Sequence, residues 1–138
     1  MLPRLLKPAS YILALVVAFG LGTAIGQQSP PPTENKGFST EKTVIRDLGG
    51  EIEGLQGRQL RLRVLKLDPG GVIGLHSHKD RPGVAYILQG TLTEHRDGGA
   101  TGDHHAGELL SSGKETAHWE ENKGNTAVVI IAADIFKP

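Results

Sequence analysis

The stretch "GGVIGLHSHKDRPGVAYILQG", residues 70–90, sets two histidines one residue apart between glycines and then runs into an apolar, strand-like segment without a carboxylate. In an extended chain the side chains at i and i+2 share a face, about 7 Å apart, so His76 and His78 point the same way. Two imidazoles so placed can converge on one ion at about 2.1 Å. Pro82 fixes its own φ and holds Arg81 extended. Gly83 then leaves no side chain beside the histidines, which either makes room at an ion or marks a bulge.

Outward from this stretch the chain reads as short strands. From Thr43 on there is no sustained helical periodicity, only alternating or apolar runs separated by glycine turns. "EKTVIRDL" and "RQLRLRVLKL" alternate, and "DPGG" is expected to close the second. "GVIGLHSH", "GVAYILQGTLTEH", "GELLSS", "TAHWEE" and "NTAVVIIAADIF" come next. Many short strands at regular spacing argue for an all-β sandwich or barrel. The run from Ala127 to Ala133 is apolar on both faces, as a central strand requires. So small a core has a modest stability margin, and a homodimer that covers an exposed sheet is a natural expectation.

Two spaced patterns sharpen this reading. Gly70, His76, His78, Gly83 and Gly90 follow the first cupin motif, G-x5-H-x-H-x3/4-E-x6-G, with Gly83 standing where the motif has glutamate. "GELLSSGKETAHWEEN" follows the second, G-x5-P-x-G-x2-H-x3-N, with Gly107, His118 and Asn122 in register, and Gly113 and Glu115 at the proline and glycine positions. Two motifs in the right order are far more specific than either alone. The chain therefore resembles the cupins, small single-domain members in particular, over about Leu60 to the C-terminus.

The resemblance implies a jelly-roll-like conical β-barrel that binds a divalent metal through His76, His78 and His118, with no carboxylate at the fourth ligand position. Three neutral imidazoles leave the ion its full charge and an extra open position. Similar replacements of this glutamate occur in cupins resembling thiol and diketone-cleaving dioxygenases. No tyrosine follows His118 and there is no cysteine, so the metal site carries over and the substrate does not. Fe(II) is the favoured ion, with Mn, Ni, Cu or Zn as alternatives.

Other residues fall around this site. Asp80 is the first candidate for a substituting carboxylate, ahead of Glu115; both read more simply as solvated loop charges. Arg61 and Arg63 share a strand face with Leu65 and Leu67. If that face points inward, Arg63 can anchor a substrate carboxylate by a bidentate pair. Gln89 shares Gly83's face, toward a ligand or a metal-bound water. His95 lines the barrel mouth or stands in solvent, and His104 and His105 read as solvated. Tyr86 faces away from the metal, as does Trp119, which suits an interface or a second sheet. Asn122 shapes the turn after its strand.

The N-terminal segment has Arg4 and Lys7, an apolar run from Tyr11 to Ile25 and small residues Ala24 and Gly26. That is the layout of a signal peptide over 1–26. An uncleaved anchor is the alternative, and only in that case is a membrane a partner. "QQSPPPTENKG" opens a proline-rich linker, 27–40, ahead of a domain at 41–138. Export is expected, to the periplasm or medium if the source is bacterial.

Cysteine is absent, which excludes disulfides and thiolate ligation. The chain has 15 basic and 15 acidic side chains, and its basic residues are scattered, so nucleic acid is not an expected partner. The expected partner is a small-molecule ligand or substrate. Two functions remain open: a metal-dependent oxygenase or oxidase acting on a small organic molecule, and a non-catalytic metal- or small-ligand-binding module.

Overall fold

The computed structural model describes residues 29–138, so the segment expected to be a signal peptide lies outside the described residues. Eight antiparallel strands follow in chain order: β1 (Lys36–Asp47), β2 (Gln59–Ser77), β3 (Gly83–Gln89), β4 (Thr91–Arg96), β5 (Thr101–His105), β6 (Leu109–Ser112), β7 (Ala117–Glu121) and β8 (Val128–Phe136). They form one sheet in the order β5-β4-β7-β2-β8-β3-β6, with β1 paired to β2, and it curls into a half-barrel. The all-β, jelly-roll class expected from the sequence is the one observed.

The long second strand organises the sheet. Its first part pairs with β8 from Gln59↔Phe136 to Leu67↔Val128, while its second part pairs with β7, including His76↔His118. "DPGG" was expected to end a strand, but it is the bend at which β2 changes partners. Pro69 has no amide hydrogen to give a ladder, and it lies where β1 shifts register and neither neighbouring pairing runs. Asn122 locks this bend. Its Nδ2 donates to the carbonyls of Leu67 and Thr126 at 3.1 and 2.8 Å, and its Oδ1 accepts from the Gly124 amide at 3.0 Å.

Alternation decides which side chains face inward. Along β2, Arg61, Arg63, Leu65 and Leu67 face the concave side, and Leu65 and Leu67 join Ile87, Leu92, Val128 and Ile130 in the core. Fully burying each such side chain contributes roughly 1.5–3 kcal/mol. On the convex side Leu60, Leu62, Val84 and Leu88 stay exposed. β8 lies between β2 and β3, as its apolar composition anticipates.

β1 opens at Lys36, within the stretch expected to be linker, because Phe38 packs against the core and the strand pairs with β2 from Lys36↔Val72. The residues just before it are also held. Pro32 accepts from the Leu75 amide at 2.7 Å, and Asn35 Oδ1 accepts from the Gly74 amide at 2.9 Å. Gly74 is required for this approach, since a Cβ there would sit 2.5 Å from the Thr33 carbonyl oxygen.

Candidate metal centre

His76 and His118 are directly opposed on β2 and β7, and His78 sits just past the end of β2, where its amide donates to the Thr116 carbonyl. One ligand nitrogen from each of the three lies within 4.8 Å of the others. The Nε2 atoms of His78 and His76 each lie 3.0 Å from that of His118. The expected triad is thus brought together by strand pairing.

The opposite ring nitrogens settle the tautomers. His76 Nδ1 faces the Gly74 carbonyl at 2.9 Å and His78 Nδ1 faces the Arg81 carbonyl at 3.2 Å, and a carbonyl can only accept. His118 Nδ1 faces the Glu94 carboxylate, which likewise accepts. All three protons therefore sit on Nδ1, leaving three Nε2 lone pairs directed at one another. Two bare lone pairs at 3.0 Å repel unless a proton or a metal ion lies between them. At a metal–nitrogen distance of about 2.1 Å, nitrogens at right angles around one ion are about 3.0 Å apart. The donor set fits a divalent ion, and carbonyl and carboxylate partners on the far nitrogens are the usual support for histidine ligands.

Electrostatics favour the same state. Burial lowers the His76 pKa to about 4, against the raising effect of the Gly74 carbonyl and with help from His118 and His78. Burial, then His118, also lowers that of His78. Both rings are thus neutral and able to ligate at neutral pH. Burial pushes the Glu94 carboxyl up, but hydrogen bonds from His118, Arg96 and His104 outweigh it and hold the pKa at about 2.

A stability prediction arises at Glu94. An unfolded glutamate takes its proton near 4.5, so the stabilisation from ionised Glu94 is complete above that pH and is lost as pH falls toward 2. Metal-free wild type should exceed Glu94→Gln by about 2–3 kcal/mol at pH 6 in denaturant titrations, with the gap closing toward pH 2. A gap that did not change with pH would remove the ionised carboxylate as its cause.

The triad opens on a cavity of about 350 Å³ lined also by Glu94, Glu120, Arg63, Arg81 and Asp134 and by apolar residues such as Leu92 and Ile130. Arg63 therefore faces inward. Asp134 binds Arg61 through two bonds of 3.0 and 2.7 Å and accepts from Arg63 at 3.2 Å, with Arg81 3.8 Å away. Burial raises the Asp134 pKa, but the Arg61 hydrogen bonds and the surrounding guanidinium charges lower it further, to a net depression. Three guanidinium groups thus share one carboxylate, and Arg63 Nε is buried without a partner among the described residues.

The other expected site residues lie elsewhere or act differently. Gly83 lines the cavity, but a Cβ there would come within 3.0 Å of the Ala133 carbonyl oxygen and 3.3 Å of Asp134 Cβ. The glycine accommodates β8, and a side chain there would require β8 to give way by a few tenths of an ångström. Gln89 was expected on Gly83's face, but a bulge between Ile87 and Gln89 breaks the alternation, and its amide donates outside the cavity to the Ala127 carbonyl at 3.0 Å.

His95 is opposite Trp119 on the outer face, stacked on it at 3.8 Å and bonded to Glu121 at 2.7 Å. Trp119 is thus occupied within the chain. Asp80 is exposed at a positive φ of 61°, and it is its carbonyl that is used, accepting from Arg58 at 2.7 Å. His104, expected in solvent, is half-buried and lies 3.1 Å from Glu94, because β5 pairs along β4.

Glu94 and Glu120 were missed by sequence reasoning. Glu120 had a signal, since it is two residues beyond His118 and shares its face. Glu94 had none, because its approach to His118 depends on the β4–β7 register.

Comparisons with known proteins agree with this fold. The family model described as "Cupin domain" matches residues 63–134. No curated protein matches. Among solved structures, the chain is similar to the Cnp3 cupin domain of Schizosaccharomyces pombe, with 12% identity, 74% of this chain and 63% of that one covered, and a TM-score of 0.55. It is similar to the ectoine synthase of P. lautus, with 12% identity, coverages of 75% and 67%, and a TM-score of 0.54. It is also similar to the oxalate decarboxylase of Bacillus subtilis, with 25% identity, 78% of this chain covered, only 27% of that longer one, and a TM-score of 0.50. With the family match spanning more than half of the sequence and the half-barrel sheet behind it, this chain belongs to the cupin domain family.

Proposed function

We propose that this protein is an exported cupin that holds a divalent metal through His76, His78 and His118 and uses it to oxidise or oxygenate a small organic anion. The observation that carries the reading is the convergence of three Nε2 lone pairs whose rings are fixed by Gly74, Arg81 and Glu94. When bound, a divalent ion supplies Lewis-acid chemistry, and Fe(II) adds redox chemistry. Fe(II) is the favoured ion; Mn(II), which the oxalate decarboxylase of Bacillus subtilis carries, is a close alternative. The arrangement at the N-terminus supports export, and the apolar convex face supports a homodimer.

The chain's own residues select and hold the substrate. A cavity of about 350 Å³ takes a small molecule, and its apolar wall of Leu92 and Ile130 limits water. Three arginines against Asp134 leave positive charge in excess. Arg63, with its partnerless Nε, suits a carboxylate, which a guanidinium binds through paired hydrogen bonds.

The test is metal analysis of untagged protein followed by calorimetry with malonate as the probe. Metal-loaded wild type should bind malonate, and Arg63→Ala should bind it at least about tenfold more weakly at unchanged metal content. Equal affinity in the two proteins would remove Arg63 from recognition. Oxygen consumption with Fe(II) and a panel of small carboxylates then separates an enzyme from a module that only binds.

A further inference from the structure

Three carboxylates line the cavity, and two of them are committed. Glu94 takes hydrogen bonds from His118, Arg96 and His104. Asp134 is ringed by arginines. Glu120 is 8% exposed, and its Oε2 has no hydrogen-bond partner among the described residues. Its Oε1 lies 3.5 Å from His118 Nε2 and its Oε2 4.0 Å from His76 Nδ1, beside the set of three histidine donors that lie within 4.8 Å of one another, so a turn of its side chain brings it to an ion they share. Neither imidazole satisfies it: His118 presents a lone pair on that nitrogen, and the His76 proton is directed at the Gly74 carbonyl.

A buried carboxylate facing lone pairs is unfavourable, and such groups in folded proteins take up a proton, pair with a cation or bind a metal. The strand explains the placement. His118 and Glu120 are i and i+2 on β7, so the pleat sends both side chains to the concave side beside His76. Gly83, at the position where the first motif has its acidic ligand, cannot gain a side chain without pressing on β8.

We propose that Glu120 is the fourth protein ligand, a carboxylate delivered by the strand of the second motif in place of the one absent at residue 83. The inference rests on the reading of the histidine triad as a metal site. It changes that site from three imidazoles to three imidazoles and a carboxylate, which takes one unit of positive charge off a divalent centre and closes one of its open positions.

Co(II) is the probe, since its visible absorption reports the donor set while competition with a chelator reports affinity. The proteins are wild type, Glu120→Gln and His76→Ala. Glu120→Gln should bind Co(II) about 10- to 100-fold more weakly, with a changed absorption spectrum. His76→Ala should lose tight binding. In metal-free form Glu120→Gln should resist denaturant at least as well as wild type, because it removes a buried carboxyl group that has no hydrogen-bond partner at Oε2; a loss of fold would show there.

Wild-type affinity in Glu120→Gln, or weaker binding with an unchanged spectrum, overturns ligation by Glu120 while leaving the triad standing. Wild-type binding in His76→Ala overturns the triad itself, and the proposal with it.

Discussion

Replacing His118 with alanine should abolish metal binding, with a larger loss than any change outside the ligand set. His118 is 4% exposed, and its Nε2 is the atom to which both other Nε2 atoms approach at 3.0 Å. Without it His76 and His78 remain as a pair on one strand and its following turn, with no imidazole from β7 to complete the triad. An outer partner such as Glu94 should cost only about 10- to 100-fold in affinity when changed to glutamine, since it orients a ring that can still ligate. Titration of metal-free protein with Co(II), followed by chelator competition, compares the two variants directly. His118→Ala binding within tenfold of wild type would sink the assignment of the triad.

The second large effect should be on stability, at Asp134. Its carboxylate is 5% exposed and holds Arg61 in a bidentate pair, Arg63 by one bond and Arg81 at 3.8 Å. Asp134→Ala leaves three guanidinium groups facing one another at the cavity wall. Removing one partner from a buried ion pair typically costs about 3–5 kcal/mol, mostly through the charge left behind. Against a total stability of about 5–15 kcal/mol, such a loss brings a small domain near its unfolding threshold. Denaturant unfolding of metal-free protein at neutral pH measures it. A loss under about 1 kcal/mol would mean that water already screens the arginines.

These two sites differ in how much of them the sequence reveals. The histidine triad is legible because its spacing is local: His76 and His78 share a face by the two-residue period, and the second motif brings in His118. Glu120 is legible by the same period, two residues beyond His118. The arginine cluster is half legible, since alternation groups Arg61 and Arg63 with Leu65 and Leu67 but does not say which face is inward. Burial of the two leucines decides that. Gln89 went astray for the opposite reason, because one inserted residue at a bulge reverses the face of every side chain after it.

By itself, then, the sequence determined the all-β class, the family and the three metal-ligating candidates, because alternation, glycine punctuation and motif spacing act over a few residues. The tertiary structure alone decided the supports of those ligands: Glu94 behind His118, the Arg81 carbonyl behind His78, and Asp134 among the arginines. These contacts join residues 24 to 73 positions apart or hang on one turn's geometry. Strand register and bulges place them, and both are set by how whole faces bury against each other, which no local pattern encodes.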